Sequence, residues 1–530
     1  MSDAANASAH RRERPNLSVR RLASLTVASA ALLWASAAHA QTPASPTPEE
    51  RASIAQQLEE IRAMRESLAQ QLHQLDNRIG TLEGELQGTH QGATPAPPTA
   101  SAQAQVPGAT APVVVAQSPP PAGPAAHEEA PQQWGGYVPG PGFVLVKSSF
   151  GELDFGMTSY ARYVDQTGYN ATSTDAFGRV RNVLRQNNLE LAKGQLNFRG
   201  WIFDPNFNYL LYVWTQNAAQ GQGAQVAVAG NLSYSFNDAF QLFAGIHSVP
   251  STRTTNRTFP MWLRNDNRTI ADEYFRGSYT SGVWAQGTIA PGLEYRAMVA
   301  NNLSTLGVDA GQLAPGMHTI SAALTWMPTT HEYGPAEGFG DLERHENLAT
   351  LFGIHYTRSR EDAEAQPNVN EFENTQLHLS DGTLLFSPNA FNTGGQVTKA
   401  TYQMLDLNGG FKYRGWTLDF EHYWRWIDDF RVVGSVPVDS LYDHGFQLQA
   451  SGMLTDSLQT YVSGSMIFGK YGDPSDVALG LNWFPFENRN VRINAQALYV
   501  GVGSPVGYLS YILPLGAKGL GFNVDTVLVF

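Results

Sequence analysis

The chain has no cysteine. That excludes disulfides, thiolate metal ligands and thiol redox chemistry. Charge is sparse too. Asp, Glu, Lys and Arg make up 15% of the 530 residues, against roughly 25% in an average soluble domain. After residue 40 no unbroken run of apolar residues is long enough for a membrane-spanning helix. A transmembrane barrel escapes that exclusion, because its strands alternate apolar and polar residues. The formal net charge of −13 speaks against a nucleic-acid partner. What the chain does have is 50 glycines and 11% aromatics, the residues of turns and of membrane-interface belts.

The N-terminus reads as an export signal over residues 1–40. The basic stretch RRERPNLSVRR precedes the apolar LASLTVASAALLWASA, and Ala38-His39-Ala40 offers a small-x-small cleavage site before Gln41. Over residues 50–87, Ile54, Leu58, Ile61, Leu68, Leu72, Leu75, Ile79, Leu82 and Leu86 recur at steps of four and three, with Arg65 the one break. That heptad seam predicts a short α-helical coiled coil that buries its stripe by self-association. A single amphipathic helix lying on another surface is the alternative. Residues 88–132, with APAPPTASAQAQ and SPPPAGPAA, show no apolar period and predict a semi-extended linker.

From 133 to 530 the period becomes two. Val491, Ile493, Ala495, Ala497 and Tyr499 alternate with Arg492, Asn494, Gln496 and Leu498; Trp416, Leu418 and Phe420 alternate with Thr417, Asp419 and Glu421. Connections alternate between tight turns, such as Pro291-Gly292 and Asn237-Asp238-Ala239, and long loops, such as Asp165 to Arg181, Ser248 to Asp272 and Glu361 to Thr398. Short turns on one rim and long loops on the other are the habit of outer-membrane barrels. The stretch from Thr329 to Glu346 breaks the pattern, being long where a short turn is expected. Trp201, Tyr209, Trp214, Trp326, Trp424, Trp426, Trp483 and Tyr499 fall at strand ends and predict the two aromatic girdles. Strand starts are expected near residues 152, 185, 207, 226, 240, 274, 293, 317, 348, 401, 416, 444, 458, 477, 491 and 520. The fold class is therefore all-β, a 16-stranded antiparallel transmembrane β-barrel preceded by the coiled coil. Sixteen strands leave a water-filled lumen, and the even number puts both barrel ends, with the coiled coil, in the periplasm. The strand ending on Phe530 must pair with the first, since an open edge in lipid leaves backbone groups unsatisfied.

The stretches FGELDFGMTSYARYV, LELAKGQLNFRGWIFDPNFNYLLYVW, SVPSTRTTNRTFPMWLRNDNRTIADEYFRGSY and SYILPLGAKGLGFNVDTVLVF resemble the phosphate-selective porin O and P family over residues 134 to 530. The resemblance implies a passive, trimeric outer-membrane channel with no enzymatic activity and no cofactor. It also makes Phe530 similar to the C-terminal aromatic by which such barrels are recognised for insertion. Outer-membrane lipid and small ions or anions are the implied partners, and the coiled coil could touch the cell wall.

The selectivity candidates follow from charge. The third long loop, Ser248 to Asp272, holds Arg253, Arg257, Arg264 and Arg268, with Arg276 just beyond; its only carboxylates are Asp266 and Asp272. Guanidinium groups in a narrow throat favour anions and match the oxygens of phosphate. Lys193, Arg199, Lys412, Arg414, Arg425 and Arg492 are expected on the lumen wall as an extension of that track. The competing reading is structural: Asp406, Asp419 and Glu421 share the lumen face and could pair with the loop arginines to hold the loop in place. No nucleophile, base and orienting residue can be assembled into a hydrolase, and His422 among Tyr423, Trp424 and Trp426 reads as an interfacial residue rather than a metal ligand. An outer-membrane anchor whose coiled coil tethers the membrane to the cell wall is the alternative to a channel.

Overall fold

The computed structural model describes residues 136–530, apart from 139–141, 217–224, 265–267, 307, 309–310, 314, 367–376 and 508–512. The expected signal, coiled coil and linker, and Asp266 in the third loop, lie outside the described residues. Two short strands come first, β1 (Gly136–Val138) and β2 (Gly142–Lys147), then β3 (Gly151–Asp165), β4 (Thr172–Thr174), β5 (Val180–Asn182), β6 (Asn187–Ile202), β7 (Asp204–Gln216), β8 (Gln225–Asn237) and β9 (Phe240–Ser248). Two helices follow, α1 (Arg253–Asn256) and α2 (Ile270–Phe275). The remaining strands are β10 (Tyr279–Ala290), β11 (Leu293–Ala300), β12 (Thr319–Trp326), β13 (Ala349–Asp362), β14 (Gln396–Tyr413), β15 (Trp416–Val433), β16 (Leu441–Met453), β17 (Leu458–Phe468), β18 (Ser475–Trp483), β19 (Val491–Val500) and β20 (Gly519–Val529).

Among the described residues sixteen strands, β3 and β6 to β20, pair antiparallel with their chain neighbours, and β20 closes the ring on β3 from Phe522 opposite Asp165 to Val529 opposite Thr158. The seam continues past the end of β20. Phe530 N–H donates to Met157 O (2.9 Å) and Met157 N–H to Phe530 O (2.8 Å). Next along the same edge, β2 pairs Phe143 with Phe155 and Lys147 with Glu152. The backbone of β3 is thus satisfied along its length, which a barrel wall in hydrocarbon requires. The Phe530 ring lies 5.3 Å from that of Phe143 and 6.1 Å from that of Phe155.

The wall is apolar outside and polar inside. Leu189, Val228, Ile320, Ile354, Leu407, Phe420, Leu479 and Phe522 face outward and are exposed; Asp406, Asp419, Glu421, Gln447, Asp476, Asn494 and Asp525 face inward and are buried. A soluble sandwich has the opposite polarity, so this is the surface of a barrel whose outside is lipid. Trp326, Trp426, Trp483 and Tyr499 are outward and exposed near strand ends, as girdle residues should be. Trp214 departs from the expectation: it faces inward, 2% exposed, with its ring 5.2 Å from Tyr212 and 5.4 Å from Tyr279. Its parity on β7 is that of the lumen, and strand-end position alone does not reveal parity. His422 stacks outward on Trp424 at 4.2 Å.

Two strands begin five or so residues from the expected places. β10 begins at Tyr279 instead of near 274, because α2 and its extended exit occupy the intervening chain; β14 begins at Gln396 instead of near 401, because it pairs with β15 across two register shifts. Arg414 needs a further correction. It was expected on the lumen wall, but β14 ends at Tyr413 and turns through Arg414 and Gly415, with φ of 49° and 88°, straight into Trp416. A two-residue hairpin of that twist needs both central residues in the left-handed region. Arg414 is therefore an exposed turn residue over the ring of Tyr413.

Candidate functional site: the lumen and its inward loops

The loop between β9 and β10, which contains α1 and α2, folds into the barrel. Thr252 caps α1 and Thr269 caps α2, each side chain accepting from a backbone N–H of the first turn. Most of the loop's polar docking contacts are with the inner face of β15 to β19, with further contacts to β11, β13 and β14. Arg253 Nη1 donates to Asp419 (2.6 Å), its Nη2 to Glu337 O (2.9 Å), and its backbone N–H to Glu421 (2.8 Å). Arg264 pairs with Asp476 and donates to Ser463 O at 2.9 Å. Thr269 donates to Gln447 (2.8 Å), Ala271 N–H to Ser465 (3.0 Å), and Asn482 to Leu263 O (3.1 Å). Arg492, on the wall, donates to Trp262 O at 2.5 Å.

A second loop meets the first from the opposite rim. The long stretch between β12 and β13 turns into the barrel instead of crossing its edge. Tyr333, 1% exposed, donates to Asp419 (3.0 Å), Lys412 donates to Tyr333 O (2.7 Å), and Phe339 N–H donates to Met261 O (2.8 Å). Phe339 packs with Trp262, Leu263 and Tyr461. Arg253 thus sits where both loops and the wall converge, over the rings of Tyr333 and Phe339 at 5.1 and 4.4 Å. Above this junction, Arg425 pairs with Asp443 (2.6 Å) and donates to His378 O (2.9 Å), beneath the loop that follows β13.

The space left over lies on the other side, against β6, β7 and β9 to β11. It is a cavity of about 820 Å³. Its lining contains Lys193, Arg199, Arg257, Arg268, Arg276, Arg296 and Arg489, and among the described residues no Asp or Glu; Phe530, with the terminal carboxylate, also borders it. Carboxylates stand behind the guanidinium groups. Arg257 pairs with Glu294 and Glu337, Arg268 lies 3.4 Å from Asp272 and 3.5 Å from Glu273, and Arg276 pairs with Glu273 at 2.6 Å. Burial raises the Glu273 carboxyl, but Arg276 and Arg268 outweigh it and hold it at about 2, so it stays ionised. Asp272 goes the other way, pushed up to about 7 by burial. Arg296 meets neutral acceptors, the side chain of Gln286 (2.9 Å) and the carbonyl of Asn256. Tyr212, Tyr279, Phe259 and Trp262 complete the lining, with Lys193 4.9 Å from the Phe259 ring and Arg268 4.3 Å from the Trp262 ring.

No protein-family model matches the chain, and no curated protein matches it either. Among solved structures it is similar to the outer membrane channel DcaP of Acinetobacter baumannii (8% identity, 72% of this chain and 98% of that one, TM-score 0.44). It is also similar to an anion-selective porin from Comamonas acidovorans (11%, 72% and 100%, 0.43) and to the outer-membrane expressed OmpT of Vibrio cholerae (11%, 73% and 100%, 0.41). Similarity at this level does not bear on what this chain conducts.

The expected site therefore divides. Arg257, Arg268 and Arg276 of the loop, with Lys193 and Arg199 of the wall, line the cavity. Arg253, Arg264, Lys412, Arg425 and Arg492 are buried among the docking contacts, 6% exposed at most. Arg296 and Arg489 join the cavity without having been singled out. The inward parity of Arg296 on β11 was available in the sequence. Arg489 lies in a turn, and only the closed ring brings that turn beneath the cavity.

Proposed function

We propose that the chain is an outer-membrane channel for passive diffusion of small hydrophilic solutes, with a preference for anions. The observation that carries this reading is the cavity wall of seven cationic side chains without an Asp or Glu among its described residues. In a low-dielectric barrel such a wall concentrates anions, although the chain as a whole is acidic. A narrower preference for phosphate is part of the proposal. Arg253 and Arg264 are spent on Asp419 and Asp476, which leaves fewer forks for phosphate oxygens. Phe530 is proposed as the insertion signal. A homotrimer with the coiled coil in the periplasm, touching the cell wall across the linker, completes the picture.

The test is single-channel current from the refolded full chain in a planar bilayer under a salt gradient, with and without phosphate. An anionic reversal potential, shifting toward zero in Arg268→Gln plus Arg296→Gln with conductance largely kept, is the expected result. Cation preference, or no shift in the double variant, would make the pore a general one. A folded barrel with no current would favour the membrane anchor.

A further inference from the structure

The outer surface carries a group of arginines that the lumen does not use. Most arginines of the described residues have a carboxylate or carbonyl partner. Arg358, Arg360 and Arg431 are exposed and make no side-chain ion pair or hydrogen bond among the described residues. They lie together. Arg358 and Arg360 share the outward face of β13 near its long-loop end, Arg358 opposite Ile320 of β12 and Gln403 of β14, and Arg360 opposite Thr401. Arg431 of β15 is opposite Lys399 of β14, which is in turn opposite Asp362. Arg360, Lys399, Arg431 and His318 line one groove of about 860 Å³. Three carboxylates share the groove with these cations, and each has a partner, two of them within the groove itself. Glu361 is buried and accepts from Leu303 N–H (2.9 Å), Asp362 pairs with Lys399, and Asp429 accepts from Thr401 (3.1 Å).

Ile320 and Trp426 are level with Arg358, and Ile354 and Tyr356 lie below it toward the middle of β13; all four are exposed and apolar. Free guanidinium groups beside an apolar wall match one kind of ligand, an amphiphile with phosphate at its head and acyl chains beneath. We propose that this groove binds the phosphorylated headgroup of a lipid in the leaflet on the long-loop side. The guanidinium groups fork onto phosphate oxygens, and the chains lie on Ile320, Ile354 and Tyr356. The inference rests on the membrane reading above, in which the long loops face the outer leaflet, but not on conduction.

The full chain refolded in bicelles would be given lipid A with both phosphates, dephosphorylated lipid A, or inorganic phosphate, and bound lipid counted by native mass spectrometry. We expect Arg358→Gln plus Arg360→Gln plus Arg431→Gln to weaken retention of the bisphosphorylated lipid by about ten- to a hundredfold, the scale for three cations at an anionic surface. Arg414→Gln, an exposed arginine at the other rim, should retain it fully. Equal retention by the triple variant, or equal retention of the dephosphorylated lipid, would overturn the proposal. Inorganic phosphate bound as tightly as the lipid would overturn its lipid part. Current through the triple variant should match the unchanged chain. A conducting channel without lipid would sink this site alone, and lipid held by a non-conducting barrel would sink the channel alone.

Discussion

Arg253 shows how one residue type serves two ends. Its guanidinium is 3% exposed and is met by Asp419, the Glu337 carbonyl and two aromatic faces. A buried charge deprived of its partner is far worse off than one never buried. Arg253→Gln should therefore leave Asp419 uncompensated and weaken the docking of both loops by about 3 kcal/mol. Denaturant unfolding and single-channel conductance would report it, the latter rising as the loop leaves the wall. Unchanged conductance with reduced anion preference would instead make Arg253 a solute-binding group. The sequence put Arg253 and Arg268 in one class. Only the pairing partners, 166 positions away for Asp419 and four for Asp272, separate the anchor from the cavity lining.

At the scale of elements, the loop between β12 and β13 is the least expected feature. Its excess length was visible in the sequence, but nothing in its residues said that it enters the lumen. Asp341 anchors its return, accepting from Gly415 N–H (2.7 Å) and holding His345, whose other nitrogen lies 3.1 Å from Glu332. Burial lowers the His345 pKa, but hydrogen bonds and charge from Asp341 and Glu332 outweigh it and raise it above 6.5. The raised folded value means the stabilisation is fully present below about pH 6.5 and is lost as pH rises through the folded pKa. Trypsin cleavage after Arg344, whose side chain is 41% exposed, should accordingly quicken as pH rises above neutral. In His345→Gln the rate, corrected for the enzyme's own pH profile, should lose that dependence. A slope identical in the variant would place the pH sensitivity elsewhere.

The whole molecule depends on closure. The last strand, the terminal residue and β2 share one edge of β3, and Phe530 joins the two parts of that seam with its backbone and, through Phe143 and Phe155, its ring. Phe530→Ala keeps the backbone pairing and removes the ring. Refolding yield into detergent, scored by heat-modifiable mobility, should fall several-fold. An unchanged yield with poor assembly in cells would assign the ring to recognition rather than to the seam.

The alternation of Val491 to Tyr499 and of Trp416 to Glu421 was enough to place strands and their faces, because a period of two maps each residue to lipid or lumen whatever its distant neighbours. The same local logic located the third loop and its arginines. The tertiary structure alone decided which arginines line the cavity. Ion pairs form between residues far apart in the chain, and Arg253 and Arg264, which meet Asp419 and Asp476, are taken up in docking the loop and are absent from the cavity lining. It also decided that a second loop enters from the short-turn rim, and that outward arginines of β13 and β15 meet at one groove across β14. Both depend on the register between strands, which the period of any single strand leaves open.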